Sequence, residues 1–172
     1  MYLIRPYFLQ FSLSEFVGKY ECTKIDNYDE FLKELDVNYL IRKAAFASNQ
    51  VFKVSMDGST IIFKTSTILK SIKLKFKVDV EFEEKSPDGR DVRCIITQEG
   101  NKFISNQTAK KDGEKSTEVV REFIGDEMIQ KSKVVGSNIV CTLTFKKYPE
   151  KSSELGPAQV GKNSTQRFTS IF

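Results

Sequence analysis

The feature that most limits what this chain can fold into is the regular spacing of its turn signals. Gly89, Gly100, Gly113, Gly125 and Gly136 fall eleven to thirteen residues apart, most beside Asp, Asn or Ser, and Asp57-Gly58 precedes them. That interval holds one strand, a tight hairpin and the start of the next strand. The segments between are Val51–Met56, Thr60–Thr67, Ile72–Val78, Val80–Lys85, Asp91–Gln98, Lys102–Thr108, Ser116–Phe123, Glu127–Val134 and Ile139–Lys147. They are rich in β-branched and aromatic residues, as strands are. Phe16–Lys24 alternates weakly and makes a tenth. An antiparallel meander of this length closes on itself to remove its edges, and with more than about eight strands it leaves room inside for a ligand. The expected fold is mainly β: a ten-stranded antiparallel barrel.

One stretch breaks the pattern. Tyr28, Phe31, Leu32 and Leu35 recur at helical spacing, and after Asp36-Val37-Asn38 so do Leu40, Ile41, Ala44 and Ala45. Asn27 with Glu30 three residues on has the form of a capping box, and Asn38 can cap the second helix. Neither helix is long enough to be stable alone. Both must lean on something apolar, so the pair is expected to close the barrel as a helix–turn–helix lid. In the strands, Ile72, Leu74, Phe76 and Val78 alternate with Lys73, Lys75 and Lys77, which gives one dry face and one wet face. The lysines are expected to face bulk water.

Composition excludes whole classes of function. There is no histidine among the 172 residues, which removes serine–histidine and cysteine–histidine catalysis and histidine-ligated metals. No Asp-x-Asp-x-Asp-Gly loop and no nucleophile elbow is present. Neither metal, cofactor nor enzymatic activity is expected. Cys22, Cys94 and Cys141 are odd in number and lack CxxC spacing, which fits a reducing compartment and a cytoplasmic location. Net charge is +4 without an arginine-rich arm, and the aromatics alternate inward, so no nucleic-acid partner is expected. In MYLIRPYFLQFSLS the apolar run is split by Arg5 and Pro6 and lacks a cleavage site, so it reads as an extension over residues 1–15. Pro149, Gly156, Pro157 and Gly161 among Ser, Asn and Gln mark residues 149–172 as a disordered tail. Residues 16–148 are the one expected domain.

The order Phe16-x-Gly18-Lys19-Tyr20, Asn27-Tyr28-Asp29-Glu30-Phe31-Leu32-Lys33 and Arg42-Lys43 resembles the opening of the intracellular lipid-binding proteins, the cytosolic fatty-acid and retinoid carriers. Phe82-Glu83-Glu84, Asp88-Gly89-Arg90, Val120-Arg121-Glu122 and Cys141-Thr142 follow in the family's order. The resemblance covers Phe16–Tyr148 and implies a lipocalin- or calycin-like ten-stranded β-clam with a helical lid. It also implies a monomeric, non-enzymatic intracellular carrier of a long-chain fatty acid or related hydrophobic ligand. A secreted lipocalin-like carrier and a β-barrel interaction module without a lipid ligand are the alternatives.

The fatty-acid branch holds its carboxylate with two arginines and a tyrosine. One arginine matches Arg121; the last strand's Arg-x-Tyr reads Leu143-Thr144-Phe145 here. A charge-assisted hydrogen bond to a carboxylate contributes about 1.5–3 kcal/mol, so the departure removes two such contacts and adds apolar wall. By alternation Val119, Arg121 and Phe123 share the inner face. An arginine there needs water, a wall residue such as Gln107, or a ligand carboxylate. Tyr28, Leu32, Val37, Ile41 and Ala45 are expected on the lid's inner face. From the resemblance, Leu69 matches a portal phenylalanine, beside Ile68, and Asp88 and Arg90 match a polar pair near the cavity. Lys33, Arg42, Lys43 and Lys70 are charges through which the lid can touch a membrane transiently, diluted by Glu30, Glu34 and Asp36.

Overall fold

The computed structural model describes residues 12–46, 49–68 and 70–149. Leu69, and all of the expected extension and tail except 12–15 and 149, therefore lie outside the described residues. The elements are β1 (Gly18–Asp26), α1 (Tyr28–Glu34), α2 (Tyr39–Phe46), β2 (Val51–Asp57), β3 (Thr60–Ser66), β4 (Ser71–Phe76), β5 (Phe82–Lys85), β6 (Asp91–Glu99), β7 (Lys102–Ala109), β8 (Thr117–Ile124), β9 (Glu127–Val134) and β10 (Cys141–Tyr148). The ten strands form one antiparallel sheet in the order β4-β3-β2-β1-β10-β9-β8-β7-β6-β5. Every sequence neighbour pairs except β4 with β5, and β1 pairs with β10, so the meander rolls up with a seam between β4 and β5.

Turn chemistry sets the hairpins. Glu99 faces Lys102 across Gly100-Asn101, and Ile124 faces Glu127 across Gly125-Asp126. Gly100 and Gly125 sit at φ 59 and 57, the left-handed conformation that two-residue hairpins require.

Several element boundaries differ from the sequence expectation, and three of the differences have a clear cause. β1 begins at Gly18, because Leu13–Phe16 forms a 3-10 turn that drops Phe16 into the core. Leu13 packs against that core as well, so the packing starts before residue 16. β4 ends at Phe76 and β5 begins at Phe82, since Asp79 turns left-handed at φ 62 with its N–H held by the Ile96 carbonyl at 2.9 Å. Asn27 does not cap α1 with its side chain. It sits at φ 55, a conformation Asn tolerates well, where the chain leaves the sheet, and its amide donates to the Val140 carbonyl at 3.2 Å. Asn38 does cap α2, accepting from Leu40 N at 2.9 Å.

The core is aromatic at the end of the barrel away from the lid. Phe16 meets Phe103 edge-on at 5.4 Å and Phe123 at 4.9 Å, and Phe63 meets Phe76 at 4.9 Å and Phe103 at 5.4 Å. Edge-to-face pairs of this kind fix ring positions beyond what area burial does. They form a solid floor, so the remaining interior space lies between it and the helices.

Candidate functional site

That space is one cavity of about 300 Å³, the low end of the usual size for a small-molecule site. Its roof is the helical pair. Tyr28, Phe31, Leu32, Leu35, Val37, Ile41, Ala44 and Ala45 all border it. Leu40, which the helical spacing grouped with them, points out instead and is 74% exposed. α1 is pinned to the barrel end: Lys115 Nζ donates to the Glu34 carbonyl, and Ser137 Oγ donates to Glu34 Oε1 at 2.8 Å. α2 is pinned to α1 through Arg42, whose Nε donates to Asp29 Oδ1 at 2.9 Å and whose Nη1 donates to the Val37 carbonyl at 2.9 Å. Arg42 is thus committed inside the lid, against the expectation of an outward charge. Lys70, another of those charges, reaches the Pro87 carbonyl at 3.3 Å.

Two arginines border the cavity: Arg90, buried and paired with Asp88, and Arg121, which is half-buried. β8 alternates Thr117, Val119, Arg121 and Phe123 inward, and Arg121 borders the cavity. Its guanidinium carbon lies 5.3 Å from the Phe52 ring centroid and 5.5 Å from that of Phe63. Such contacts attract a cation, more strongly once it is desolvated. Hydrogen bonding is poor: Nη1 reaches Ser105 Oγ only at 3.4 Å, and the buried Nε has no partner among the described residues. Burial lowers its pKa to about 10, with the more distant Glu84 carboxylate acting in the opposite direction. The group is still a cation at neutral pH, enclosed and under-bonded. Of the three partners the sequence left open for it, Gln107 makes its side-chain hydrogen bonds elsewhere. Gln107 Nε2 donates to Glu84 Oε1 at 2.8 Å while its Oε1 accepts from Thr117 Oγ1 at 2.7 Å, so the amide is already taken.

Register shows what stands around the arginine. Arg121 faces Gln130 on β9, and Gln130 faces Leu143 on β10. Phe145 is the next inward residue of β10, against Met128. Leu143 and Phe145, 2% and 1% exposed, present hydrocarbon where the family motif has Arg-x-Tyr. One rung nearer the lid come Ser105, Val119, Ser132 and Cys141, each in register with the next. Gln130 and Ser132 line the cavity 3.3 Å apart, Gln130 Nε2 donating to Ser132 Oγ. Sequence reading missed both. Their signal was parity along β9, which becomes informative only once β9 is placed beside Arg121.

At the mouth, Asp88 and Arg90 border the cavity as expected. Arg90 Nε donates to Asp88 Oδ2 at 2.5 Å, and Nη1 donates to the Lys115 carbonyl. Burial alone would raise the Asp88 carboxyl, but hydrogen bonds from Arg90 and Ser86 and the Arg90 charge outweigh it and hold it below the ordinary value. This pair braces the β5–β6 turn against the β7–β8 loop. Tyr28 presents its phenol from the roof, pushed up by burial against the opposing effect of a hydrogen bond with Gln50. Among the described residues no cluster of three His, Cys, Asp or Glu side chains could hold a metal ion. What remains is a largely apolar chamber, open at its mouth, with one under-bonded cation and several amides and hydroxyls.

Known proteins share this chain's sequence pattern and fold. The model of the lipocalin / cytosolic fatty-acid binding protein family matches residues 17–148. A fatty acid-binding protein of Lepidoglyphus destructor is 38% identical over 117 residues, 67% of this chain and 86% of that protein. Fatty acid-binding protein homolog 8 of Caenorhabditis elegans is 32% identical over 136 residues, 79% of this chain and 98% of its own. Among solved structures, apo lipid binding protein 8 of Caenorhabditis elegans superposes with a TM-score of 0.76 at 31% identity, covering 80% of this chain and 98% of that one. A Schistosoma mansoni fatty acid binding protein in complex with arachidonic acid superposes with a TM-score of 0.73 at 26% identity, covering 81% and 100%.

Proposed function

The chain belongs to the lipocalin / cytosolic fatty-acid binding protein family, and from that premise we propose that it is an intracellular, non-enzymatic carrier that holds one long-chain fatty acid inside its barrel. The observation that carries this reading is Arg121, a half-buried arginine that borders the cavity with a buried, unpartnered Nε. A cation in this state costs stability in the empty protein and is relieved by an anion. The apolar roof and wall bury the acyl chain, at about 0.8 kcal/mol per methylene before ordering costs. One carboxylate contact adds about 1.5–3 kcal/mol. Most of the affinity is therefore hydrophobic, and Arg121 sets orientation. Leu143 and Phe145 supply apolar contact, and Tyr28, Leu32, Val37 and Ile41 form the inner surface of the lid. Gln107 shapes the wall through Glu84 and Thr117, and Asp88 and Arg90 keep the rim in place. Leu40, exposed on the outer side of the lid, is the point at which the lid touches a membrane transiently. The carrier acts as a monomer.

The test is displacement of a fluorescent fatty-acid analogue from delipidated protein. One-site saturation is expected, with Arg121→Ala weakening fatty acids by about tenfold or more and matched fatty alcohols little. Absence of displaceable binding by folded protein overturns the carrier reading. Equal losses for acid and alcohol overturn the carboxylate role of Arg121.

A further inference from the structure

The outer surface of the barrel treats its lysines in two different ways. On β7 and β9 two of the three strand lysines stand against acids, and the third, Lys131, faces Val120 and Thr142. Lys102 is in register with Glu122 and 3.5 Å from it, and Lys133 is in register with Glu118 and 3.0 Å from it. On the β5–β7 side Lys85 meets Asp91 and Lys110 meets Glu83. On β1–β4 the register instead puts lysine against lysine. Lys19 faces Lys53, Lys53 faces Lys64 and Lys64 faces Lys73, an unbroken row over four adjacent strands. At about 4.8 Å between strands, the row is about 14 Å long. Lys75 continues it down β4, and Lys77 follows just beyond the strand.

Lys19 has Glu21 at 3.4 Å, but Lys53, Lys64, Lys73, Lys75 and Lys77 have no ion pair among the described residues and are exposed. The carboxylates on outward positions of these strands are Glu21 and Asp26, taken by Lys19 and Lys24, and Asp57 at the β2–β3 hairpin. Like charges directly opposite on a sheet destabilise it. Lysines stacked in register without carboxylate partners leave this face to be neutralised from outside.

We propose that the outer face of β1–β4 is a docking surface for the anionic headgroups of a lipid bilayer. The chemistry of the face favours that occupant. It has no arginine and no aromatic on its outward positions, the residues that anchor protein interfaces and single-stranded nucleic acids. Evenly spaced point charges on an open strand surface need only a field of negative charge, and juxtamembrane lysines are attracted to anionic leaflets in that way. The lid is a poorer electrostatic candidate, since Lys33, Arg42 and Lys43 are interspersed with Asp29, Glu30, Glu34 and Asp36, and Arg42 is tied to Asp29. The row also lies near the cavity mouth. Lys64–Lys73 is the third rung below the β3–β4 turn, whose Thr67 and Lys70 line the cavity and whose Ile68 is 85% exposed. Docking through this face brings the mouth to headgroup level.

Full-length protein is to be co-sedimented with phosphatidylcholine vesicles with and without roughly 30 mol% phosphatidylserine, at low and high salt. The triple variant Lys53→Gln, Lys64→Gln, Lys73→Gln is compared with Lys102→Gln, Lys131→Gln, Lys133→Gln, which removes the same charge from β7 and β9. Unchanged circular dichroism verifies folding of both. The proposal expects salt-sensitive binding to the anionic vesicles alone, lost by more than about tenfold in the first triple and retained in the second. It is overturned by absence of binding to anionic vesicles, by equal loss in both triples, by retention in the first, or by tighter binding of single-stranded DNA than of vesicles.

Discussion

Arg121 is two quantities at once: a cost to the empty barrel and a handle for an anion. Replacing it with Leu removes an under-bonded charge together with its contacts to Phe52 and Phe63. Arg121→Leu is expected to stabilise delipidated protein by on the order of 1 kcal/mol, read as a higher melting temperature, while fatty-acid affinity falls. Calorimetry beside ligand titration checks it; a lower melting temperature would mean that the ring contacts outweigh desolvation. Asp88 gives a pH signature. Its folded pKa lies below the ordinary 3.8, so the stability it contributes is present above that value and is lost as pH falls through the lowered one. Asp88→Asn is expected to cost about 1–3 kcal/mol at neutral pH and to flatten the acid limb of melting temperature against pH. Legibility at this scale was uneven. The inward face of Arg121 follows from Val119 and Phe123 alone, because strand parity is a local property. The occupation of Gln107 by Glu84 and Thr117, and the position of Gln130 beside Arg121, depend on which strands lie side by side, and no local pattern contains that.

The helical pair shows how an element is legible in kind but not in its attachments. Helical spacing predicts two helices with a shared apolar side, and the structure has them over the cavity. The sequence could not show that Leu40 turns outward, that Asn27 bends the chain instead of capping, or that Arg42 ties α2 to Asp29 and the Val37 carbonyl. All three depend on where β1 and β10 direct the chain. The lid's hold on the barrel rests on Lys115 and Ser137, each on a loop between strands. Removing both side chains as Lys115→Ala, Ser137→Ala is expected to weaken that hold by about 1 kcal/mol. Ligand release should then be about fivefold faster in stopped-flow transfer to acceptor vesicles, with little change in melting temperature. An unchanged release rate would place the exit elsewhere than under α1.

At the scale of the whole molecule the strand count and the meander were readable from turn spacing, since each hairpin writes its own signal. The seam between β4 and β5 was not, because Val80 continues the apolar pattern and Asp79 alone turns the chain out. A ligand that fills the chamber stabilises the entire barrel by mass action, about 2.7 kcal/mol at a hundredfold excess over Kd. Melting temperature should therefore rise with added fatty acid, and Arg121→Ala should blunt the rise. The pairing of β1 with β10 carries a consequence for biosynthesis. Residues 18–26 have no partner on their β10 side until residues 141–148 have left the ribosome. The roof borders on Leu143 and Phe145 too, so a nascent chain lacking its last strand has neither a closed wall nor a complete chamber. Contacts this far apart in sequence form slowly and leave an unpaired edge exposed meanwhile, so the carrier becomes competent for cargo only after β10 has emerged.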